Sequence, residues 1–434
     1  MTAESDQPRQ LRRAIVAATI GTTIEWYDFF LYSTITGLVF GKLFFPESEP
    51  LMGTLQAFLI YAVGFIARPV GAAIFGHFGD RIGRASTLVA TLMLMGIATF
   101  LIGLVPTYAD IGLWGAVLLT ILRFIQGVGV GGEWGGSVLL SMEWAKTNAH
   151  RGFIASWPQF GVPAGLFLAN LAVLAVSAMS GEAFMSWGWR IPFLISIVLV
   201  GVGIYIRIGI MESPTFARIT AEDKRVKAPA LEVIRRHPRE IILSALLRMA
   251  EQAPFYIFTA FIFSYGSTNL GASRDILLIA VLVGSGLSFI SVPLFGHLSD
   301  RIGRRKMYMI GAATMGIFGF AYIGLLNSGS LTLMILAIVL SLIPHDMMYG
   351  PQAALIAEGF PPHLRYSGAS LGYQLASIIA GGPAPIIATA LLAATGSGWS
   401  IAVYILACAI ITLVATALMP DHTNRPMAGE EQRS

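Results

Sequence analysis

Charge is what this sequence has least of. Of its 434 residues only 12% are Asp, Glu, Lys or Arg, while 55% are hydrophobic; soluble chains average about 25% charged. So few charges cannot cover a water-facing surface of this size, so lipid must be much of the solvent. Cysteine is nearly absent. Cys408 stands alone, which excludes an internal disulfide and argues against a Cys-based metal site. No nucleotide-binding loop, metal-ligand cluster or nucleophile–base–orienter set is written in the chain, so no cofactor is expected and an enzyme is not the expectation. The basic residues are scattered between apolar runs rather than gathered on one face, which excludes nucleic acid as the natural partner. The N-terminus lacks a signal peptide's pattern: residues 1–13 are polar, and the run after Arg12 and Arg13 is long and carries Glu25 and Asp28. It reads as a retained first span.

What is present is a series of long apolar runs. A spanning helix needs roughly 20 such residues, and twelve runs qualify: about 14–41, 53–76, 86–106, 111–140, 152–179 and 189–210, then 239–266, 275–296, 307–327, 331–358, 366–394 and 397–419. The expected fold is therefore an all-α membrane protein of twelve transmembrane helices in two six-helix bundles. Its expected parts are 1–210 for the N-terminal bundle, 211–238 for a polar linker, and 239–434 for the C-terminal bundle with a short polar tail.

One stretch occurs twice. Gly76-His77-Phe78-Gly79-Asp80-Arg81-Ile82-Gly83-Arg84 returns as Gly296-His297-Leu298-Ser299-Asp300-Arg301-Ile302-Gly303-Arg304, in each half as a charged loop after the second span. A repeat at this scale means that one architectural half is used twice. Lys and Arg set the orientation. With the N-terminus inside, both loop copies, the linker and both termini are cytoplasmic and hold nearly all the basic residues, while the outer loops keep Lys42, Arg190 and Arg274. The expected location is the inner (plasma) membrane, multi-pass.

The repeated loop carries the G-x-x-x-D-R-x-G-R signature, and the chain resembles the major facilitator superfamily. Glu25-Trp26-Tyr27-Asp28-Phe29, Arg68-Pro69, Gly131-Gly132-Glu133-Trp134-Gly135-Gly136, Ser186-Trp187-Gly188-Trp189-Arg190-Ile191-Pro192-Phe193 and Arg365-Tyr366-Ser367-Gly368-Ala369 look like its metabolite:H⁺ symporter family. His345-Asp346-Met347 and Tyr366-Ser367-Gly368-Ala369 with Gly372-Tyr373-Gln374 are similar to the shikimate-transporter branch. The resemblance implies import of a small organic anion, such as shikimate or a mono- or dicarboxylate, driven by protons and an alternating-access cycle. Zwitterions such as betaine or proline are the alternative cargo within the family, and a ligand sensor with a transporter's fold is a more distant one. The short tail lacks the coiled coil of osmosensing members. Gly161-Val162-Pro163-Ala164-Gly165 departs from the G-P-x-x-G-G pattern of antiporters. The expected partners are an organic anion, protons and lipid, with a monomer as the working state.

Charge inside a span costs on the order of 2.5–3.5 kcal/mol even on the lenient insertion scale, so each such residue must face a cavity or a partner. Glu25, Asp28 and Tyr32 share one face of the first helix. The two carboxylates repel, which favours taking up a proton, although either can instead neutralise an arginine. Arg123, with Gln126 and Glu133 on roughly its side of the fourth span, suits a carboxylate or a structural ion pair with Glu133 or Asp28. Arg248 and Glu251 are one turn apart on the seventh span with Tyr256 beyond, as substrate ligands or as an intrahelical ion pair. His345, Tyr349 and Gln352 share a face of the tenth span with Asp346 beside them; the histidine can carry the coupled proton or hydrogen-bond across helices. Trp157 and Gln159, with Tyr373 and Gln374, are offered as further ligands or as packing. Arg68 reads as a snorkelling or latch residue near the cytoplasmic end of its span. Asp80, Arg81, Arg84, Asp300, Arg301 and Arg304 are either topology anchors or, as the resemblance implies, a latch between the bundles. The glycines of 127–132 satisfy G-x-G-x-x-G, but within a span they read as close helix packing rather than as a dinucleotide loop.

Overall fold

The computed structural model describes residues 7–82, 84–131, 150–208, 229–361 and 364–423, with Trp134, Val138 and Met142. Side chains are described for all of these except 7–15, 17–18, 76–82, 84–86, 206–208 and 229–230. No strand occurs among the described residues. Every polar backbone group must be satisfied internally where water is absent, and helices do this within one segment.

Helix α1 covers Gln7–Ile35 and runs through a π-helical turn, Thr36–Phe40, into Gly41–Phe44. Helix α2 is Pro50–Ile66, then, past Ala67, Arg68–Ile82. Next come α3 (Arg84–Ile102), α4 (Trp114–Gly131), α5 (Arg151–Ser180) and α6 (Ile191–Ile208). A short helix, Pro229–Arg236, lies in the linker region. Helix α7 consists of Pro238–Leu247 and Met249–Thr268, bent by 41° at Arg248, and contains a π-helical turn at Ile257–Phe261. Helices α8 (Arg274–Ile302) and α9 (Arg304–Leu326) follow. Helix α10 is Leu331–Leu340 plus Leu342–Ala357. Helix α11 is Arg365–Ala376, a π-helical turn at Ser377–Gly381, and Pro383–Thr395; α12 is Trp399–Leu418.

All twelve expected spans are thus helices. Among the described residues, nine are long and apolar enough to cross a membrane, and the bent α7 makes a tenth. The apolar part of α3, Thr87–Ile102, is shorter, and α1 is made less apolar by Glu25 and Asp28. Exposed Leu59, Ile66, Tyr205, Ile317 and Val403 form part of the apolar exterior that a bilayer requires.

The repeated stretch corrects one expectation. It is not a loop but the last turns of α2 and α8. In the second copy only Gly303 leaves the helix, at φ +101, where a side chain would be strained. Charged residues can remain helical there because Arg304 reaches back to Asp300 at 3.1 Å.

Helix α5 lies against both α1 and α8, and α2 lies against α11, so these two seams join the bundles. Within the first bundle, α2 and α4 approach through glycines: a Cβ on Gly127 would collide with the Gly64 carbonyl, and one on Gly131 with that of Arg68. The close-packing reading of 127–132 holds at these two positions.

Candidate functional site

Arg123 lies in the interior of α4 and is fully buried. Gly64 makes room for it, since a Cβ there would overlap its Nε. Nε donates to the Tyr61 carbonyl at 3.3 Å and Nη1 to Gln126 Oε1, while Nη2 has no partner. The guanidinium carbon sits 4.3 Å from the Tyr32 ring centroid and 4.3 Å from that of Phe29, contacts of the cation–π kind. Gln126 in turn donates to Thr99 Oγ1 at 2.9 Å and to the Asp28 carbonyl at 3.2 Å. The Asp28 carboxylate is fully buried with neither oxygen hydrogen-bonded, and the Tyr32 hydroxyl also lacks a partner. Glu25 is buried one turn away. The Arg123–Asp28 ion pair weighed from the sequence does not form, and Glu133 lies outside the described residues.

The second bundle is built differently. Arg248 stands at the kink of α7, where the helix break lets its side chain turn inward. Its Nε meets Glu251 Oε2 at 3.0 Å, Nη1 donates to the Tyr373 carbonyl at 2.6 Å, and its guanidinium lies 3.4 Å from the Tyr373 ring centroid. Glu251 also accepts from Gln352 Nε2 at 2.9 Å and faces His345 Nε2 at 3.4 Å. His345 Nδ1 is 2.8 Å from Asp346 Oδ1, and Ser291 donates to the other Asp346 oxygen. An imidazole with a carboxylate at each nitrogen can donate to both only as an imidazolium. Gln352 also donates to the Tyr308 hydroxyl at 3.0 Å. The expected Arg248–Glu251 and His345–Asp346 pairs are both present, joined into one network.

The two sets meet at the centre. A cavity of about 10 Å³ is lined by Trp26, Arg248, Glu251, Tyr256, His345 and Tyr349, which is at the lower limit for one water. The Tyr373 ring stacks on Trp134 at 3.9 Å. Gln159 accepts from Trp134 Nε1 at 3.0 Å and donates to the Tyr349 carbonyl at 3.4 Å, and Gln374 donates to the Gly131 carbonyl at 3.4 Å. Gln159, Tyr373 and Gln374 therefore lie at the bundle interface. Trp157 does not: it is half-buried against Phe153 and Phe160, because two residues along a helix is a rotation of about 200° away from Gln159.

At the end carrying the repeated stretch, Asp300 crosses between bundles. Its oxygens accept from the backbone N–H groups of Gly152 at 2.8 Å and Phe153 at 2.9 Å, capping the start of α5, where a negative charge is favoured. Arg304 binds Asp300 and also Glu358, the latter at 2.6 Å; Arg151 is 4.0 Å from Glu358. Burial pushes the Glu358 carboxyl up to about 7, against the opposing pull of Arg304, Arg151 and Arg365. Arg301 is exposed and outside this cluster. The side chains of Asp80, Arg81 and Arg84 are outside the described set. At the opposite end a crevice of about 260 Å³ opens between the bundles, lined in part by Lys42, Ser48, Ser264 and Ser267.

Sequence reasoning missed Glu358 and misplaced Arg68. Because α2 continues to Ile82, Arg68 lies about 20 Å along the helix from that end, fully buried, with Nη1 3.1 Å from Ser377 Oγ of the other bundle. The one available signal was the helix's own length, hidden by reading the repeated stretch as a loop.

The profile of the Major Facilitator Superfamily matches residues 18–381 and 267–433. The shikimate transporter of Escherichia coli (strain K12) is 43% identical over 418 residues, 94% of each chain. The proline/betaine transporter of the same organism is 32% identical over 433 residues, 97% of this chain and 85% of the relative. In fold, the chain resembles the proton:xylose symporter XylE with a TM-score of 0.77 at 18% identity, covering 98% of this chain and 99% of that one.

Proposed function

The chain belongs to the Major Facilitator Superfamily, and from this premise we propose that it is a proton-coupled symporter importing a small organic anion across the bacterial inner membrane. The superfamily makes it a multi-pass membrane transporter rather than an enzyme. Cargo and coupling are our reading. The observation that carries it is the pairing, around Gln126, of a buried arginine with no carboxylate partner among the described residues and a buried aspartate with both oxygens unoccupied.

In this reading Asp28 takes the proton, since protonation there breaks no existing hydrogen bond. Glu25, His345 and Asp346 are the other proton-bearing groups. The substrate carboxylate meets arginine at the interface, with Tyr32, Gln126, Tyr256, Tyr349, Gln352, Tyr373 and Gln374 around it. Bundles 1–210 and 239–434 rock about this centre, tethered by 211–238. Asp300, Arg304, Arg151 and Glu358 hold the cytoplasmic end shut until the loaded centre favours the other state. Both termini lie in the cytoplasm, and the monomer is sufficient. The similarity to a shikimate transporter makes shikimate the first acid to try. Betaine is the second reading, supported by the proline/betaine relative and by the rings around the centre, which suit a quaternary ammonium.

The test is external alkalinisation by proteoliposomes on adding shikimate, 2-oxoglutarate, citrate, benzoate or betaine in turn. An acid is expected to drive proton entry, and Arg123→Ala is expected to abolish it while the protein still inserts. Proton movement with betaine alone moves the reading to osmolytes, and uptake unchanged in Arg123→Ala removes Arg123 from the site.

A further inference from the structure

Three buried arginines occupy the spans, and they differ in which guanidinium edge is committed. Arg248 spends Nε and Nη1 on Glu251 and Tyr373. Arg123 spends Nε and Nη1 on Tyr61 and Gln126, leaving Nη2. Arg68 spends only Nη1, on Ser377, and leaves both Nε and Nη2 without a partner. Those two nitrogens form the side-on edge of the guanidinium. They present the parallel N–H pair that takes both oxygens of one carboxylate.

The surroundings of that edge are those of a binding site rather than of a snorkelling residue. Arg68 is fully buried. Its guanidinium carbon lies 4.3 Å from the Phe65 ring centroid, 4.5 Å from that of Phe29 and 5.5 Å from that of Trp26, so the plane is held by apolar walls. The Tyr256 hydroxyl faces it from the second bundle. Gln252, which also lines the central cavity, donates to the same Ser377 hydroxyl at 3.0 Å and keeps its own Oε1 unpartnered. The seam is tight here because Gly381 and Gly382 of α11 admit the Phe65 ring. Arg68 thus belongs to one bundle, and its polar neighbours belong to the other.

We infer that Arg68 is the residue that grips the substrate's carboxylate, through Nε and Nη2, with Tyr256 as the contact from the facing bundle. The inference rests on the organic-anion reading above and names the anchor within it. Arg123, with one free nitrogen and Asp28 beside its glutamine, is left to the proton side of the cycle. A carboxylate on Arg68 touches both bundles at once. Its arrival and departure therefore bear directly on whether they close, in a way that a ligand held wholly within one bundle does not.

The experiment compares shikimate and 2-oxoglutarate with their methyl esters, by calorimetry on the full-length detergent-solubilised chain. The wild type is expected to bind the bound acid at least about tenfold more tightly than its ester. Arg68→Lys is expected to bring the two to near parity while keeping the charge, because an ammonium cannot present two parallel donors. A lysine variant that keeps the tenfold preference overturns the inference and leaves anion symport standing. A wild type that binds betaine and neither acid overturns both. Should the lysine variant not fold, phenylglyoxal modification of wild-type Arg68, followed by peptide mass spectrometry, takes its place. Protection by the acid and not by the ester supports the assignment, and equal labelling with either overturns it.

Discussion

In the second bundle Arg248 is answered one turn away by Glu251, and Glu251 by Gln352 and His345, so every charge at depth has a counter-charge within hydrogen-bonding reach. In the first bundle Arg123 and Arg68 meet ring faces, one carbonyl, one amide and one hydroxyl, and the Asp28 carboxylate meets no donor. The same residue types at similar depth are closed into a network on one side and left open on the other. A closed network holds its own bundle together. An open one is completed by something that arrives from outside, which in our reading is a proton at Asp28 and an anion at the arginines.

The largest effect should come from opening the closed side. Glu251→Gln keeps the shape but leaves Arg248 without its carboxylate, and breaking a buried pair by removing one partner costs about 3–5 kcal/mol. Thermal unfolding of the detergent-solubilised protein should fall accordingly. Replacing both Arg248 and Glu251 with methionine should recover most of the loss. A double variant as unstable as the single one would mean that the pair is not the unit that matters.

An intermediate effect lies at the latch, where compensated charge crosses between bundles. Burial raises the Glu358 carboxyl from 4.5 to about 7 when the end is shut; when it opens, water returns the group to its ordinary value. The shut state therefore holds the extra proton. Its advantage is complete below about 4.5 and is lost as pH rises through about 7. Between pH 8 and pH 6 the shut state should gain about tenfold over the open one, roughly 1.4 kcal/mol. Spin labels on the exposed positions His150 and Arg301, in a Cys408→Ala background, would report the change as a growing short-distance population at pH 6. Glu358→Gln should remove that pH dependence; a pH response that survives it assigns the sensing to another group.

Much of this was written plainly. Twelve apolar runs, a doubled D-R-x-G-R stretch and basic residues on one side were enough for the architecture. Helical spacing was enough for pairs on one helix, such as Arg248 with Glu251 and His345 with Tyr349. Spacing along one helix does not say which helix stands opposite. So Ser377 beside Arg68, Glu358 beside Arg304 and Gly152 beneath Asp300 were not legible, and Trp157 was grouped with Gln159 although they point to different neighbours. Depth failed for a related reason. A charged stretch looks like a loop until its own side chains pair at i and i+4, as Asp300 and Arg304 do, and α2 and α8 gain extra turns that move Arg68 towards the centre.

The smallest expected change in stability makes the sharpest test of the comparison. Arg123→Met removes a buried cation that has no carboxylate partner among the described residues, and it fills the same space with an apolar chain of similar length. A charge without a counter-charge contributes nothing to recover, and replacing buried ions with apolar residues is often neutral or stabilising. The variant should therefore unfold within about 1 kcal/mol of the wild type, or above it, while losing proton-coupled uptake. Stability kept and transport lost would mark the open side as held ready for a ligand, at some expense to the resting fold. A loss as large as that of Glu251→Gln would show instead that Arg123 is compensated in the folded protein, by Glu133 or by an ionised Asp28. The contrast between the bundles would then be one of geometry and not of function.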